Sequence, residues 1–149
     1  MRTLSGNNYK PMKDFIWPIR VYYEDTDAGG VVFYANYLKF FERARTEMLR
    51  ALGYEQDHLL RTEGIIFAVR SVQVDYLSPA RFNQQLQVFT QLTLVKKASL
   101  VFEQVVKRDD DVLCEGSVRV ACLDAQTLRP KAIPETLFRA ILEHTTNEY

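Results

Sequence analysis

Three carboxylates and two glycines precede an apolar segment with helical spacing. Glu24, Asp25 and Asp27 fall within four positions, and Gly29 and Gly30 follow. The first turn of a helix offers unpaired backbone N–H groups and partial positive charge, which can hold an oxyanion. A carboxylate beside it can attack a polarised carbonyl carbon or direct water at it. A thioester suits such a site, because a thiolate leaves without an obligatory general acid.

The same residue types also build ordinary turns, since Asp and Gly adopt the backbone conformations that loops require. Three features favour a site. The loop carries more acids than a turn needs, and the glycine pair lets the backbone approach a ligand closely. The apolar residues 31–34 (VVFY) exclude water from the chain that follows the loop.

Other catalytic signatures do not occur in the sequence. There is no G-x-S-x-G, H-E-x-x-H, G-x-G-x-x-G or P-loop motif, and His58 and His144 are the only histidines. Residues from Asp25 begin like a calcium loop, but its twelfth position is Asn36 instead of a bidentate Glu. No Cys/His group has zinc spacing. We therefore predict no metal site, and the chemistry requires no cofactor.

Composition is that of an ordinary globular chain. The 149 residues carry a formal net charge of zero, so no overall basic field favours nucleic acid. The first residues hold no apolar signal-peptide core, and no apolar run reaches the length of a membrane span. Cys114 and Cys122 lie eight apart on one predicted strand, too far for a disulfide. We expect a cytoplasmic protein with two reduced thiols.

The helical pattern covers residues 36–52, with Asn36 as a candidate cap and Gly53 as a stop. Apolar residues recur every three or four positions, at Tyr37, Phe41, Ala44, Met48 and Leu52. Arg43 and Glu47 are spaced for an ion pair on the other face. A short helix is expected at 56–63, and another from Pro134 as first helical residue.

Alternation and turn residues predict five strands, at 15–24, 67–77, 85–96, 99–108 and 112–123. One long apolar helix followed by strands with short turns favours an antiparallel sheet wrapped on that helix. We expect an N-terminal tail over residues 1–14 and a single domain over 15–149.

Three segments carry a family resemblance: residues 25–32 (DTDAGGVV), 36–37 (NY) and 41–45 (FERAR). The chain resembles the hotdog-fold acyl-CoA thioesterases of the 4-hydroxybenzoyl-CoA thioesterase type, and within them the YbgC subfamily, which is associated with the Tol–Pal system. The similarity runs from about Trp17 to Pro134 and includes VDYLSPAR and SLVFEQ. It implies an α+β hotdog fold, a five-stranded antiparallel sheet around a long central helix. It also implies homodimers that often pair into homotetramers, and hydrolysis of acyl-CoA to a free acid and CoA.

The resemblance also assigns roles to residues. The family's catalytic carboxylate falls on Asp27, and its oxyanion donor on the backbone N–H of Tyr34, where many YbgC-like proteins have histidine. The family binds the nucleotide end of CoA with basic residues near Lys96, Lys97 and Ser99, although lysines at a turn are most often only solvated. We also expect Gly29, Gly30 and Val32 to leave room for the acyl thioester.

Several alternatives stay open. Asp27 could be a nucleophile or a general base. The runner-up function is a non-catalytic module that binds an acyl thioester or acyl carrier protein. A dehydratase on the same fold would commonly require a catalytic histidine, which the loop lacks. Asp25 is expected to be a loop anchor or cap. Glu42 is expected to form an ion pair with Arg43, Arg45 or a neighbouring strand, and Arg81 to pair with the acidic loop or bind phosphate.

Overall fold

The computed structural model describes residues 14–143, which form five strands and three α-helices. The strands are β1 (Phe15–Arg20), β2 (Ile65–Tyr76), β3 (Gln85–Lys96), β4 (Ser99–Arg108) and β5 (Asp111–Asp124). The helices are α1 (Asn36–Ala51), α2 (Gln56–Glu63) and α3 (Glu135–Leu142). Residues 1–13 of the predicted tail, and His144, lie outside the described residues.

The strands form one antiparallel sheet in the order β1-β3-β4-β5-β2. The predicted α+β fold class is confirmed, and the predicted bounds of β3 and β4 match those observed. The first strand was predicted to reach Glu24 but ends at Arg20. The chain instead makes a 3-10 turn over Tyr23–Asp25, because Asp25 Oδ2 accepts a hydrogen bond from the Tyr22 N–H.

Helix α1 lies against the inner face of this sheet. Its buried residues are Tyr37, Phe40, Phe41, Ala44, Met48 and Leu49. The predicted stripe missed Phe40, which is fully buried, and it included Leu52, which is only partly buried at the end of the helix. A wrapped helix buries a wider band than a single line of residues at helical spacing.

Two predicted caps are wrong in detail. Asn36 is the first helical residue, Ala35 occupies the cap position, and Asn36 Nδ2 donates instead to Asp25 O at 2.8 Å. Pro134 is the cap of α3, not its first residue. The predicted stop is confirmed: Gly53 follows α1 with a φ of +96°.

The predicted ion pair of Arg43 with Glu47 does not form among the described residues. Glu47 forms an ion pair with Arg50 one turn later. The Arg50 guanidinium also lies 3.9 Å from a carboxylate oxygen of Glu55, so two acids hold this side chain. Glu42, predicted to pair with an arginine, accepts a hydrogen bond from the Thr46 hydroxyl instead. In the stretch from 14 to 143, no helix is long and apolar enough to cross a membrane.

Candidate active site

The acidic loop between β1 and α1 is a short hairpin. Asp27 N–H donates to Val31 O at 2.9 Å, and Gly30 N–H donates to Asp27 O at 3.0 Å. Thr26 and Val32 pair one step further from the tip. Gly30 has a φ of +79°, a conformation that L-residues with a side chain rarely adopt. The glycine is therefore required by the turn itself.

The two aspartates of the loop have different environments. Asp25 is 5% exposed, and its Oδ2 accepts the Tyr22 N–H at 2.8 Å. Its backbone oxygen accepts from Phe33 N–H at 3.0 Å and from Asn36 Nδ2, which fastens the loop to the start of α1. The prediction of Asp25 as a loop anchor is confirmed.

Asp27 is exposed, and its Oδ1 accepts the Gly29 N–H at 2.9 Å. No hydrogen bond among residues 14–143 uses its Oδ2. A Cβ on Gly29 would lie 3.4 Å from Asp27 Oδ1, which is close to ordinary van der Waals contact. One carboxylate oxygen is thus held by the backbone while the other is open to a ligand.

Tyr34 lies two residues before α1, and its backbone N–H is a donor in none of the hydrogen bonds of the described chain. The neighbouring amides are used: Asn36 N–H donates to Phe33 O, and Tyr37 N–H to Tyr34 O. Tyr34 is 61% exposed. Its ring packs edge to face on that of Tyr76, at the end of β2, with the ring centres 5.8 Å apart. The helix start thus presents an unpaired N–H on the same loop as Asp27.

The segment after β2 supports the loop from outside. Val32 N–H donates to Ala80 O at 2.8 Å, and Ala80 N–H donates to the Tyr37 hydroxyl at 3.0 Å. Burial raises the pKa of Tyr37, so this hydroxyl stays neutral. Val32 itself is buried in the core, so its side chain forms part of the wall behind the loop. The backbone of Arg81 forms an isolated antiparallel β-bridge with that of Val31. The Arg81 side chain has no ion pair among the described residues.

Lys96, Lys97 and Ser99 lie at the turn between β3 and β4, far from the acidic loop. The loop leaves β1 beside Gln85, where β3 begins, and the lysines lie where β3 ends. Twelve residues of strand separate these ends by roughly 35 Å at about 3.3 Å per residue. We call the end of the sheet near Gln85 and the acidic loop the loop end, and the end near Lys96 the lysine end. One chain therefore does not bring the two predicted groups together.

Sequence reasoning missed two arginines at the lysine end. Arg70 and Arg119 line a cleft of about 240 Å³ together with Ser99, Ala98, Ala121 and Pro130. No ion pair among residues 14–143 includes either guanidinium. The alternation of β5 does predict that the side chain of Arg119 faces outward. Arg70 was not, because it lies at a bulge where the pairing of β2 with β5 skips from Val69 to Ser71.

His58 is exposed on α2, away from the loop, where its N–H donates to Asp57 Oδ1. The part of the chain that the structure describes contains no group of three or more His, Cys, Asp or Glu side chains that could hold a metal ion.

Comparison with known proteins gives the chain a family. The model of the thioesterase-like superfamily matches residues 21–141. An acyl-CoA thioester hydrolase YbgC from Escherichia coli is 46% identical over 124 residues, which are 83% of this chain and 92% of the relative. The acyl-CoA thioesterase YbgC of Haemophilus influenzae is 45% identical over 130 residues, 87% of this chain and 95% of its own.

A solved structure agrees with these relatives. The crystal structure of a probable thioesterase from Bartonella henselae superposes with a TM-score of 0.79 at 31% identity, covering 82% of this chain and all of the other. Sequence and fold lead to the same conclusion. The chain belongs to the thioesterase-like superfamily and, within it, to the YbgC family of acyl-CoA thioester hydrolases.

Proposed function

We propose that this chain hydrolyses acyl-CoA with Asp27 as the activating carboxylate and the Tyr34 N–H as the oxyanion donor. One observation carries this proposal. An exposed carboxylate and a backbone N–H share one short loop at the start of α1, and within residues 14–143 one carboxylate oxygen and the N–H have no hydrogen-bond partner. Asp25 is unsuited to the role, because it is buried and already bonded to the Tyr22 N–H.

The thioester carbonyl oxygen accepts a hydrogen bond from Tyr34 N–H, and the positive end of α1 stabilises the charge that develops there. Asp27 then either attacks the carbonyl carbon or removes a proton from an attacking water. The carbon–sulfur bond breaks, and the CoA thiolate leaves. On the first route, water hydrolyses the acyl-aspartate and restores Asp27. On the second route, the proton that Asp27 takes from water passes to the leaving thiolate and restores the carboxylate. Both routes give one free acid and one CoA.

A complete site requires a second copy of the chain in this proposal. Strand β2 is a twelve-residue edge strand that no other strand of residues 14–143 pairs on its outer side, and its Val69, Val72 and Tyr76 are exposed. The other edge strand, β1, has six residues and carries Pro18, which cannot donate a ladder hydrogen bond. Sheets pair where backbone donors and acceptors are open, so β2 is the edge that favours a homodimer.

Pairing two β2 strands about a twofold axis runs them antiparallel. The end of β2 at Tyr76 belongs to the loop end, and its start at Ile65 belongs to the lysine end, where β2 lies beside the last residues of β5. Antiparallel pairing therefore brings the loop end of one copy beside the lysine end of the other. In this arrangement Asp27 of one copy and Lys97 of the other serve one acyl-CoA.

The lysine end suits the phosphates of CoA. Lys96, Lys97, Arg70 and Arg119 are all exposed, and the two arginines flank Ser99 in the cleft described above. Unpaired cations that share a cleft repel one another, and a phosphate relieves that repulsion. This preference favours CoA over acyl carrier protein, whose phosphopantetheine arm lacks the nucleotide.

We also place the protein in a reducing compartment, the cytoplasm. Cys114 and Cys122 are buried free thiols that lie eight residues apart on β5, beyond disulfide reach. This arrangement favours a compartment where thiols stay reduced.

The catalytic assignment is tested by thiol release from a panel of acyl-CoAs. Asp27→Asn should lower kcat by about a hundredfold or more, because it removes the base or nucleophile while keeping an acceptor for the Gly29 N–H. Glu24→Gln is the matched control, since it removes an equal charge from an exposed position of the same loop, and it should stay close to wild type. Equal activity of Asp27→Asn and wild type would refute the role of Asp27. If wild type releases thiol from no substrate, the acyl-thioester binding module becomes the better interpretation.

Mixing two variants that are each impaired at low substrate, one at each end of the site, tests whether the site is shared. Asp27→Asn disables the loop end, and the double variant Lys96→Ala/Lys97→Ala weakens the lysine end. Random reassociation of equal amounts gives half heterodimers, each with one intact site, so activity should return to about a quarter of wild type at low substrate. Sedimentation of the same samples reports whether dimers pair into tetramers. A mixture no more active than its components would contradict a site shared between copies.

A further inference from the structure

A polar tether fastens α1 to the middle of the sheet. Gln104 on β4 is fully buried, and its side chain lies on the same inward face of the strand as the apolar Phe102. Its Nε2 donates to Phe41 O at 3.0 Å and to Thr90 Oγ1 at 2.9 Å. Its Oε1 accepts from Arg45 Nη1 at 3.0 Å. One side chain thus joins β3, β4 and two successive turns of α1.

A buried amide at this position requires an explanation, because an apolar side chain would avoid the cost of burying polar atoms. Both Gln104 N–H groups and its oxygen are paired, which offsets that cost. Apolar contacts tolerate sliding of one surface over another, whereas hydrogen bonds fix a distance and a direction. What Gln104 adds is therefore a single defined position of α1 on the sheet.

Arg45 depends on the same amide. Its guanidinium is partly buried, lies 5.9 Å from the centre of the Phe102 ring, and has no ion pair among residues 14–143. Burial lowers the pKa of Arg45, and the charge of Glu42 partly opposes this. Without Gln104 Oε1 the guanidinium would lose the hydrogen-bond acceptor that it has among residues 14–143, and the turn of α1 that carries Arg45 would lose its link to β4.

We propose that Gln104 is a positioning residue for thioester hydrolysis, because it fixes α1 and thereby the place of the Tyr34 N–H. The inference rests on the proposed function, in which that N–H holds the oxyanion. Tyr34 lies seven residues before Phe41, and α1 is continuous from Asn36 onward. A helix moves as a rod over this length, so a shift at Phe41 reaches Tyr34. Misplacing a reacting group by about 1 Å can cost about a hundredfold in rate.

Two variants separate positioning from stability. Gln104→Met keeps the volume but removes every hydrogen bond to α1. Thr90→Val removes a bond to the same amide on the sheet side and leaves the links to Phe41 and Arg45 intact. Each is assayed well below its own midpoint of thermal unfolding. Gln104→Met should lower kcat by about tenfold to a hundredfold with a smaller change in KM, whereas Thr90→Val should stay within about twofold of wild type.

The backbone amide resonance of Tyr34 gives a readout that does not depend on activity. It should move in Gln104→Met and stay in place in Thr90→Val. If Gln104→Met does not fold, Gln104→Glu is measured in its place, since it keeps the acceptor for Arg45 and loses the donor to Phe41 O. A kcat close to wild type in the Gln104 variant, or an equal loss in Thr90→Val, overturns the inference. The Asp27→Asn assay judges the proposed function separately, so failure of one does not imply failure of the other.

Discussion

The ring of Phe41 on α1 packs directly onto Gly116 of β5. A Cβ built on Gly116 would lie 2.8 Å from Phe41 Cε2 and 3.0 Å from the backbone oxygen of Gln73. Both distances are shorter than ordinary van der Waals contact, so a side chain here would require the Phe41 ring and the β2 backbone to move. The contact of α1 with the centre of the sheet thus depends on a residue without a side chain at position 116.

Gly116→Ala should therefore destabilise the fold by about 1–3 kcal/mol through overpacking. Denaturant unfolding measures this loss. Phe41→Leu combined with Gly116→Ala should recover part of it, because the smaller side chain makes room for the methyl group. Ser117→Ala on the outer face is the control and should change stability by less than about 0.5 kcal/mol. Additive effects of the two core substitutions would contradict the contact.

The two loop aspartates should separate stability from activity. Asp25→Ala leaves the Tyr22 N–H without its acceptor and should cost about 1–3 kcal/mol in the free energy of unfolding. Asp27→Asn, at an exposed position, should change that free energy by less than about 0.5 kcal/mol while removing turnover. Urea unfolding and thiol release on the same preparations check both. A large stability loss in Asp27→Asn would mean that the residue is mainly structural.

The buried thiols should make the fold sensitive to alkali. Burial, with smaller effects from Glu115 and Asp75, raises the pKa of Cys114 from 9.0 to about 12. The unfolded thiol loses its proton first, so the folded state binds more protons as the pH rises above 9. Stability is fully present below pH 9 and should fall as the pH rises towards 12. Cys114→Ala should show a shallower decline between pH 8 and 11 in urea titrations.

Thiol labelling gives an independent check of the same burial. At pH 8 a small alkylating reagent should modify neither Cys114 nor Cys122 in the folded protein, and both in urea, because only an exposed thiolate reacts quickly. Rapid labelling of the folded protein would place at least one thiol at the surface and remove the basis of the alkaline prediction.

Substrate binding should depend on salt through the lysine end. Arg119→Ala should raise KM for acyl-CoA by up to about fivefold with little change in kcat, since an exposed ion pair contributes up to about 1 kcal/mol. An acyl-pantetheine, which has no phosphate, should not distinguish the variant from wild type. Arg61→Ala is the control, because Arg61 pairs with Asp57 on α2. The difference between Arg119→Ala and wild type should shrink as ionic strength rises.

The regular parts of the fold were predictable because their periodicity is strong. Strand β3 alternates from Leu86 to Leu92 and β4 from Leu100 to Val106, and each has one bulge beyond that run. These runs are long enough for their predicted bounds to match the observed ones. The first strand was misjudged because Tyr22 and Tyr23 have strand-forming side chains, while the actual turn depends on a bond from Asp25 to the Tyr22 N–H. A local hydrogen bond overrode propensity there.

The candidate site was predictable only in part. Asp27 and Tyr34 fall on a short contiguous motif, so a single chain segment carries their signal. Gln104 had a readable signal, since it is a polar residue in the inward phase of β4, but its partners on α1 and β3 come from distant segments. The separation of the loop end from the lysine end follows from the strand order, which residue spacing alone does not specify.

The proline in β1 limits how far these sheets can extend one another. If two copies join through β2, the outermost strand on each flank is β1, which is short and lacks the donor of residue 18. Further copies then find no suitable strand to add to, so growth into a fibre stops at the first pairing. In that case edge-to-edge assembly would stay closed at two copies, which would protect the protein from forming fibres.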